Sequence, residues 1–312
     1  MSSRNRSIPQ SLNPLPLSIL VFISALCFPH LSFSSPPSPV AEGAVPVKVA
    51  GGFKFTEGPS SDAQGHVYFT DQPNNRIHRY GTDGTLTTFL DPAGRSNGLC
   101  FDPQGMLWAC ADENNELWRI DPATGKHEVM ASRFEGKLFN GPNDVWAHPA
   151  GGVYFTDPFF KRPYWTRGPA EQDGNQVFHL AADGTLRRAT TTHAQVNGIV
   201  GTPDGKTLYV ADPGKSKVFA YDIQADGSLA NPRVFCEGKS DGLTLDSADN
   251  LYLTGKGLTI VGPDGQILTH VEIPEKWTAN ACFGGADRKT LFITASTGLY
   301  TLQMAVPGAG PQ

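Results

Sequence analysis

Residues 97–112 read NGLCFDPQGMLWACAD and residues 197–212 read NGIVGTPDGKTLYVAD. Both open on Asn-Gly, run through a short apolar stretch, turn on a Pro- and Gly-containing tetrad, and close on a second apolar stretch that ends in Asp. Four further segments keep this plan: EGPSSDAQGHVYFTD from Glu57, NDVWAHPAGGVYFTD from Asn143, DGLTLDSADNLYLTG from Asp241 and NACFGGADRKTLFITA from Asn280. Their first residues stand 40, 46, 54, 44 and 39 positions apart. Within each run the apolar residues alternate with a period of two, the signal of a strand, and repeats of about 40 to 50 residues with several short strands each are propeller blades.

Each copy is followed by a second hairpin, as in RIHRYGTDGTLTTF and VFHLAADGTLRRAT, so that every unit supplies four antiparallel strands. Six units predict an all-β protein, a six-bladed β-propeller. The last unit stops at LYTLQMA, one strand short, and the extended segment VPVKVAGGFKF at residues 45–55 is placed to supply the missing outer strand. Closure by an N-terminal strand is therefore expected. The first residue of each copy begins an innermost strand, so Glu57, Asn97, Asn143, Asn197, Asp241 and Asn280 are predicted to ring one mouth of the central channel. The DPQG-type turns belong to the opposite face. The segment DPFFKRPYWTRGPAEQDGNQ at residues 157–176 accounts for the longest step and is expected to overhang that mouth.

With 312 residues, 39% of them hydrophobic, the chain can bury a large core, and the repeat spans nearly all of it. A net charge of -5 and the lack of a basic cluster exclude a nucleic-acid partner. The 34 Gly and 25 Pro suit many tight turns. Residues 1–40 stand outside the repeat: Arg4 and Arg6, an apolar run from Leu15 to Phe28, then SFSSPPSPV, the order of a secretory signal peptide. The alternative is a membrane anchor, for which a run of about 14 residues is short. A lipid-modified Cys27 is disfavoured by its bulky neighbours Leu26 and Phe28. The expected division is a signal peptide and Ser/Pro-rich linker at 1–40, a propeller at 41–305 and a flexible tail at 306–312, in a secreted or periplasmic protein with no stable membrane span after signal removal. Cys100, Cys110, Cys236 and Cys282 match no zinc spacing. Cys100 and Cys110 fall on neighbouring strands without standing opposite each other, which favours buried free thiols over a disulfide.

Glu57 and Asp241 contribute carboxylates to the ring, and Asn143 and Asn197 contribute amide oxygens. Hard oxygen donors around one axis fit calcium, which takes six to eight oxygens in loose geometry and would leave room for water and substrate. Zinc prefers nitrogen and sulfur, which this set lacks. The competing interpretation is that Asn-Gly and Asp-Gly are turn formers. One such pair means little, whereas six in register point to a site.

The segments FTEGPSSDAQGHVYFTD, GPNDVWAHPAGGVYFTDP, VNGIVGTPDGKTLYVADP and SDGLTLDSADNLYLTG resemble the senescence-marker-protein/gluconolactonase/regucalcin-like family, especially its bacterial gluconolactonase-type members. The resemblance runs over roughly residues 47 to 303. It implies a divalent cation held by Glu57, Asn143, Asn197 and Asp241, the four residues that the ring also selects. In one respect the chain departs from the family: an Arg two positions before the PND-type Asn, used by members that bind sugar lactones, is replaced by Gly141. Lys137, Arg162 and Arg167 are candidates to stand in for it.

The expected activity is hydrolysis of a sugar lactone such as glucono-1,5-lactone, with calcium as the metal and zinc, manganese or magnesium as substitutes. The cation would bind the lactone carbonyl while Asp241 removes a proton from water, provided that one of its oxygens is free; if both grip the metal, a metal-bound hydroxide is needed instead. Asn97, Asn143, Asn280, Phe159 and Tyr164 are the expected substrate contacts. Phe160 and Trp165 could add to an apolar wall, although loop aromatics also serve to anchor a loop. His193, four residues before Asn197, has no evident catalytic role. Two other functions remain open: a hydrolase of phosphotriesters or larger lactones on the same metal platform, and a non-catalytic propeller that uses the ion as a structural staple.

Overall fold

Six four-stranded antiparallel sheets, the first five built in chain order from the axis outward, form the six blades of a propeller in a computed structural model that describes residues 38–310. The innermost strands are Thr56–Ser61, Ser96–Phe101, Val145–Ala147, Ile199–Gly201, Leu243–Leu245 and Thr278–Gly284. Blade 6 is completed as expected: Val47–Gly51 pairs antiparallel with Gly298–Gln303 and becomes its outermost strand. The proposed signal peptide lies outside the described residues. Among those residues no helix is long and apolar enough to cross a membrane.

Burial follows the radial order. The second strands Val67–Asp71, Leu107–Ala111 and Val153–Asp157 are buried along their whole length, whereas Leu86–Leu90 and His127–Ala131, on the rim, are mostly exposed. A strand near the axis is covered on both faces by the adjoining blades, which explains why LWACA is apolar throughout and VYFTD opens on three successive apolar residues. Aromatic pairs join the blades: Tyr68 meets Phe101 edge-on at 5.1 Å between blades 1 and 2, and Tyr252 meets Phe283 at 5.4 Å between blades 5 and 6. The four described cysteines are free and buried. Burial pushes the Cys100 thiol up to about 12, so it is inert packing.

The Gly that follows four of the six ring residues has a reason that turn propensity does not supply. An added Cβ would fall 2.2 Å from the Asn97 carbonyl oxygen at Gly58, 2.4 Å from an Asp144 oxygen at Gly98, 2.4 Å from the Asp241 carbonyl oxygen at Gly198 and 2.1 Å from the Asn280 side chain at Gly242. At Gly58, Gly98 and Gly198 main chain thus passes main chain without room for a methyl group, and at Gly242 the Asn280 side chain fills the space. The close approach lets Gly98 N–H donate to the Asn143 carbonyl at 2.7 Å, and Gly198 N–H to the Asp241 carbonyl at 2.7 Å. Blades 3 and 6 are different: Asp144 and Ala281 stand where the other four have Gly.

A second device sets the ring residues. The aspartates that close the second strands turn back toward the segment entering their own blade. Asp71 accepts from Phe55 N–H at 3.2 Å, Asp157 from Gly141 N–H at 2.8 Å, and Asp212 from Gln195 N–H at 3.0 Å. Each of these donors lies two residues before a ring residue, Glu57, Asn143 or Asn197. In blade 2 the corresponding donor, Arg95 N–H, is satisfied instead by Asn75 Oδ1 at 2.7 Å.

The flexible tail expected at 306–312 is corrected for residues 306–310. Gly308 bridges Asp246, and Ala309, 6% exposed, donates its N–H to the Leu245 carbonyl. At the other end Val40 bridges Met304. A short hairpin, Arg133–Phe134 with Lys137–Leu138, is an addition to the blade plan.

Asp157 provides a direct check of the pinning device, because it accepts from both Asn140 N–H and Gly141 N–H at 2.8 Å in a fully buried setting. Asp157→Ala leaves two buried donors unpaired. The expected loss is about 2 to 4 kcal/mol, a fall of roughly 5 to 15 °C in Tm for a domain of this size. An unchanged calorimetric Tm would remove this aspartate from the scaffold.

Candidate active site at the channel mouth

Glu57, Asn143, Asn197 and Asp241 all face one cavity of about 280 Å³ at the mouth of the channel. Irregular pairing aims them there. Glu57 lies in a register shift of its ladder with Val67–Asp71, and shifts of this kind redirect side chains. Asn143, Asn197 and Asp241 each precede an inner strand by two residues while still donating a backbone N–H to Thr156, Ala211 and Thr254. Glu57 and Asn143 are 5% exposed; Asp241 and Asn197 are half-buried.

The electrostatics of the cavity are acidic. Burial pushes Glu57 well above the ordinary glutamate range, and the charges of Asp241 and Asp144 push it further. Asp241 rises to about 6, chiefly through burial, although the Trp277 indole and the Asn197 side chain both donate to it. Asp144 rises to about 7 for the same main reason, against N–H donation from Val145 at 3.0 Å and Ile199 at 3.3 Å. Arg162, in the cavity wall, offsets the charge on Glu57 and Asp241. Three carboxylates drawn together under partial cover repel one another, and a cation relieves that repulsion. Among the described residues no three His, Cys, Asp or Glu side chains are grouped to hold a metal. The candidate donors are two carboxylates with two amide oxygens, a set that fits a hard divalent ion.

Other expected contacts fall elsewhere. Asn280 sits deeper, in a narrow space of the channel about 30 Å³ in volume, where its amide nitrogen lies 3.4 Å from Asp144 Oδ2. Asn97 is 2% exposed and does not line the cavity; its carbonyl accepts from the Thr70 hydroxyl. Phe159 and Tyr164 are also absent from the wall. Phe159 packs against Trp165 at 5.5 Å, and the Tyr164 hydroxyl donates to Asp112 at 2.8 Å, so both hold the long loop in place. The neighbouring residues Phe160 and Arg162 reach the cavity instead. His193 is buried between Asp212 and the Tyr221 hydroxyl, at 3.2 and 2.9 Å, as part of the scaffold.

Of the three candidates to replace the missing Arg at position 141, Lys137 is exposed and paired with Asp173, and Arg167 is paired with Asp112. Arg162 lines the cavity. Asp144, Phe55, Lys239 and Trp277 are further residues of the region that motif reading missed. Asp144 carried a signal, a carboxylate in a column otherwise made of Gly and Ala. Trp277 carried a weaker one, three positions before the sixth ring residue.

A larger groove of about 580 Å³ lies between blades 2 and 3 on the opposite face. Its buried carboxylate, Asp102, is committed to the Trp108 indole, Arg119 and the N–H groups of Gln104 and Met106. At the acidic mouth the internal donors offset only part of the charge, and Glu57, Asp144 and Asp241 all stay raised.

Residues 55–297 match the family model described as SMP-30/Gluconolactonase/LRE-like region. A protein named gluconolactonase from Zymomonas mobilis is 29% identical over 300 residues, an alignment covering 85% of this chain and 83% of that one. A solved structure from Xanthomonas campestris, described as a gluconolactonase, superposes with a TM-score of 0.79 at 29% identity, covering 85% of this chain and 91% of that one. A second structure, of a candidate gluconolactonase, gives a TM-score of 0.80 at 35% identity, covering 86% and 95%. The chain belongs to the SMP-30/gluconolactonase/LRE-like family.

Proposed function

We propose that this protein hydrolyses sugar lactones, using a divalent cation, calcium by preference, held by Glu57, Asn143, Asn197 and Asp241. The observation that carries the reading is the convergence of these four oxygen-bearing side chains on one cavity, in a chain whose relatives are named gluconolactonases. The cavity volume of about 280 Å³ lies near the lower end of ligand pockets and favours a single sugar ring over larger lactones.

The chemistry supplied by a bound divalent cation is Lewis acidity toward the lactone carbonyl. The remaining work belongs to side chains. The Trp277 indole holds one oxygen of Asp241, which limits the carboxylate's rotation and fixes the direction from which it meets water. Asp241 takes a proton as water adds to the carbonyl carbon. It returns that proton to the ring oxygen as the C–O bond breaks, giving the open hydroxy acid. Arg162 and Lys239 offer donors to substrate oxygens, while Phe55, Phe160 and Trp277 supply apolar surface for the C–H face of the ring.

Asp241→Ala should fold normally and lose at least 100-fold in lactone hydrolysis followed by proton release, the lower end of what a general base contributes. Retention of activity would exclude Asp241 as the base. Chelation should abolish hydrolysis and calcium restore it; activity indifferent to chelator would eliminate the metal from the reaction.

Calcium at about 100 times its dissociation constant should add roughly 2.7 kcal/mol of stability, or about 5 to 10 °C in Tm. Asn197→Ala should shrink that shift by weakening the ion's hold. An identical calcium titration in the variant would take Asn197 out of the donor set.

A further inference from the structure

Asp112 occupies in blade 2 the place that Asp71, Asp157 and Asp212 occupy in blades 1, 3 and 4, at the close of the second strand. Those three spend their carboxylates on the segment entering their own blade. In blade 2, Asn75 has taken over that task, and the Asp112 carboxylate, 2% exposed, is turned outward to other partners. Four of them come from a single short stretch of the long loop. Tyr164 Oη donates at 2.8 Å, Trp165 Nε1 at 3.3 Å and Arg167 Nη2 at 3.1 Å, and Arg162 Nε stands at 3.7 Å. The Arg167 guanidinium also lies over the Trp165 ring at 3.4 Å, and Arg95 of blade 2 covers Tyr164 at 4.4 Å.

Gly141 is part of the same arrangement. A Cβ there would stand 2.6 Å from Asp112 Oδ1, 2.9 Å from Arg167 Nη2 and 3.0 Å from the Trp165 ring. The side chain absent at position 141 therefore makes room for the Asp112–Arg167 pair. Directly before this anchored stretch lie Phe160 and Arg162, which reach the cavity.

We propose that Asp112 is a positioning residue: by gathering Tyr164, Trp165, Arg167 and Arg162 it seats the long loop over the mouth, so that Phe160 and Arg162 form the wall against which the lactone binds. The proposal rests on the lactonase reading for its kinetic part and on geometry alone for the loop. Several charge-assisted donors on one carboxylate give directional restraint, which a loop without regular secondary structure otherwise lacks. Asp112 acts through these partners and takes no part in bond making.

The test is Asp112→Asn in the full chain, where the amide group meets the Tyr164 and Trp165 donors and the charge facing both arginines is lost. Trypsin should cut the loop, after Lys161 or Arg167, at least tenfold faster than in the parent. KM for gluconolactone should rise at least fivefold with kcat within twofold, a split that general destabilisation does not produce. A folded variant with unchanged cleavage rate and unchanged KM overturns the proposal. Should Asp112→Asn not fold, Arg167→Gln removes one ion pair and should raise KM about threefold and cleavage after Lys161 in parallel; no change in either overturns it equally. If the parent hydrolyses no lactone, the functional reading fails, and the cleavage rates decide the placement of the loop by themselves.

Discussion

The close approach of main chain to main chain around the propeller axis is the constraint on which the rest of this structure depends. No side chain fits at Gly58, Gly98, Gly198 or Gly242. Without a Cβ the inner strands come near enough for a Gly N–H of one blade to reach the ring carbonyl of the next. Asn143, Asn197 and Asp241 are then fixed by hydrogen bonds on their own backbone, and their side chains are left to point into the mouth. The aspartates at the ends of the second strands add a restraint two residues upstream. Precision at the site thus comes from backbone contacts made before any ligand enters, and preorganisation of this kind spares a binding site much of the cost of ordering itself.

The same crowding creates an electrostatic problem. Glu57, Asp144 and Asp241 are held where water is scarce and where they act on one another, and burial raises all three. Backbone N–H groups, the Trp277 indole and Arg162 offset part of that charge. The remainder is a local strain that the scaffold must stabilise from elsewhere, a pattern common at functional sites. Asp102 on the opposite face shows the contrast: a carboxylate of similar burial whose partners are all internal. What separates a scaffold aspartate from a site aspartate here is therefore the balance of donors around it.

Much of this was legible in the sequence. The six segments fixed blade number, the short last unit required closure by the N-terminal strand, and the common first position selected the four residues that share the cavity. Less legible were features that depend on distance rather than register. Phe159 and Phe160 are neighbours of the same type, and only the path of the loop determines that Phe160 reaches the cavity while Phe159 packs on Trp165. The tail was misread because PGAG looks like a linker, yet Ala309 forms a buried backbone contact with blade 5. The Gly of Asn-Gly and Asp-Gly was legible as a pattern but not as a cause, since turn propensity and axial crowding select the same residue.

Departures from the repeat carry more functional information than its shared letters. Agreement among copies records what a blade needs in order to pack: a Gly at the axis, apolar second strands, an Asp to hold the entering chain. A copy that breaks one of these rules must satisfy the lost contact in another way, and the released group becomes available for a different task. Blade 3 replaces the axial Gly with Asp144 and so places a third carboxylate beneath the mouth. Blade 2 has its entering segment held by Asn75, which leaves Asp112 for the long loop. Gly141 gives up a side chain, and Arg167 lies where that side chain would be. All three exceptions adjoin the same cavity or the loop that covers it, although they are separated by up to 32 residues in the chain. Blades 5 and 6 also break the plan, with Gly255 and Ala295 in place of the closing Asp and Ala281 in place of the axial Gly, but neither change releases a charged group. The exceptions in blades 2 and 3 differ in that each brings a charged group to the mouth or to the loop beside it.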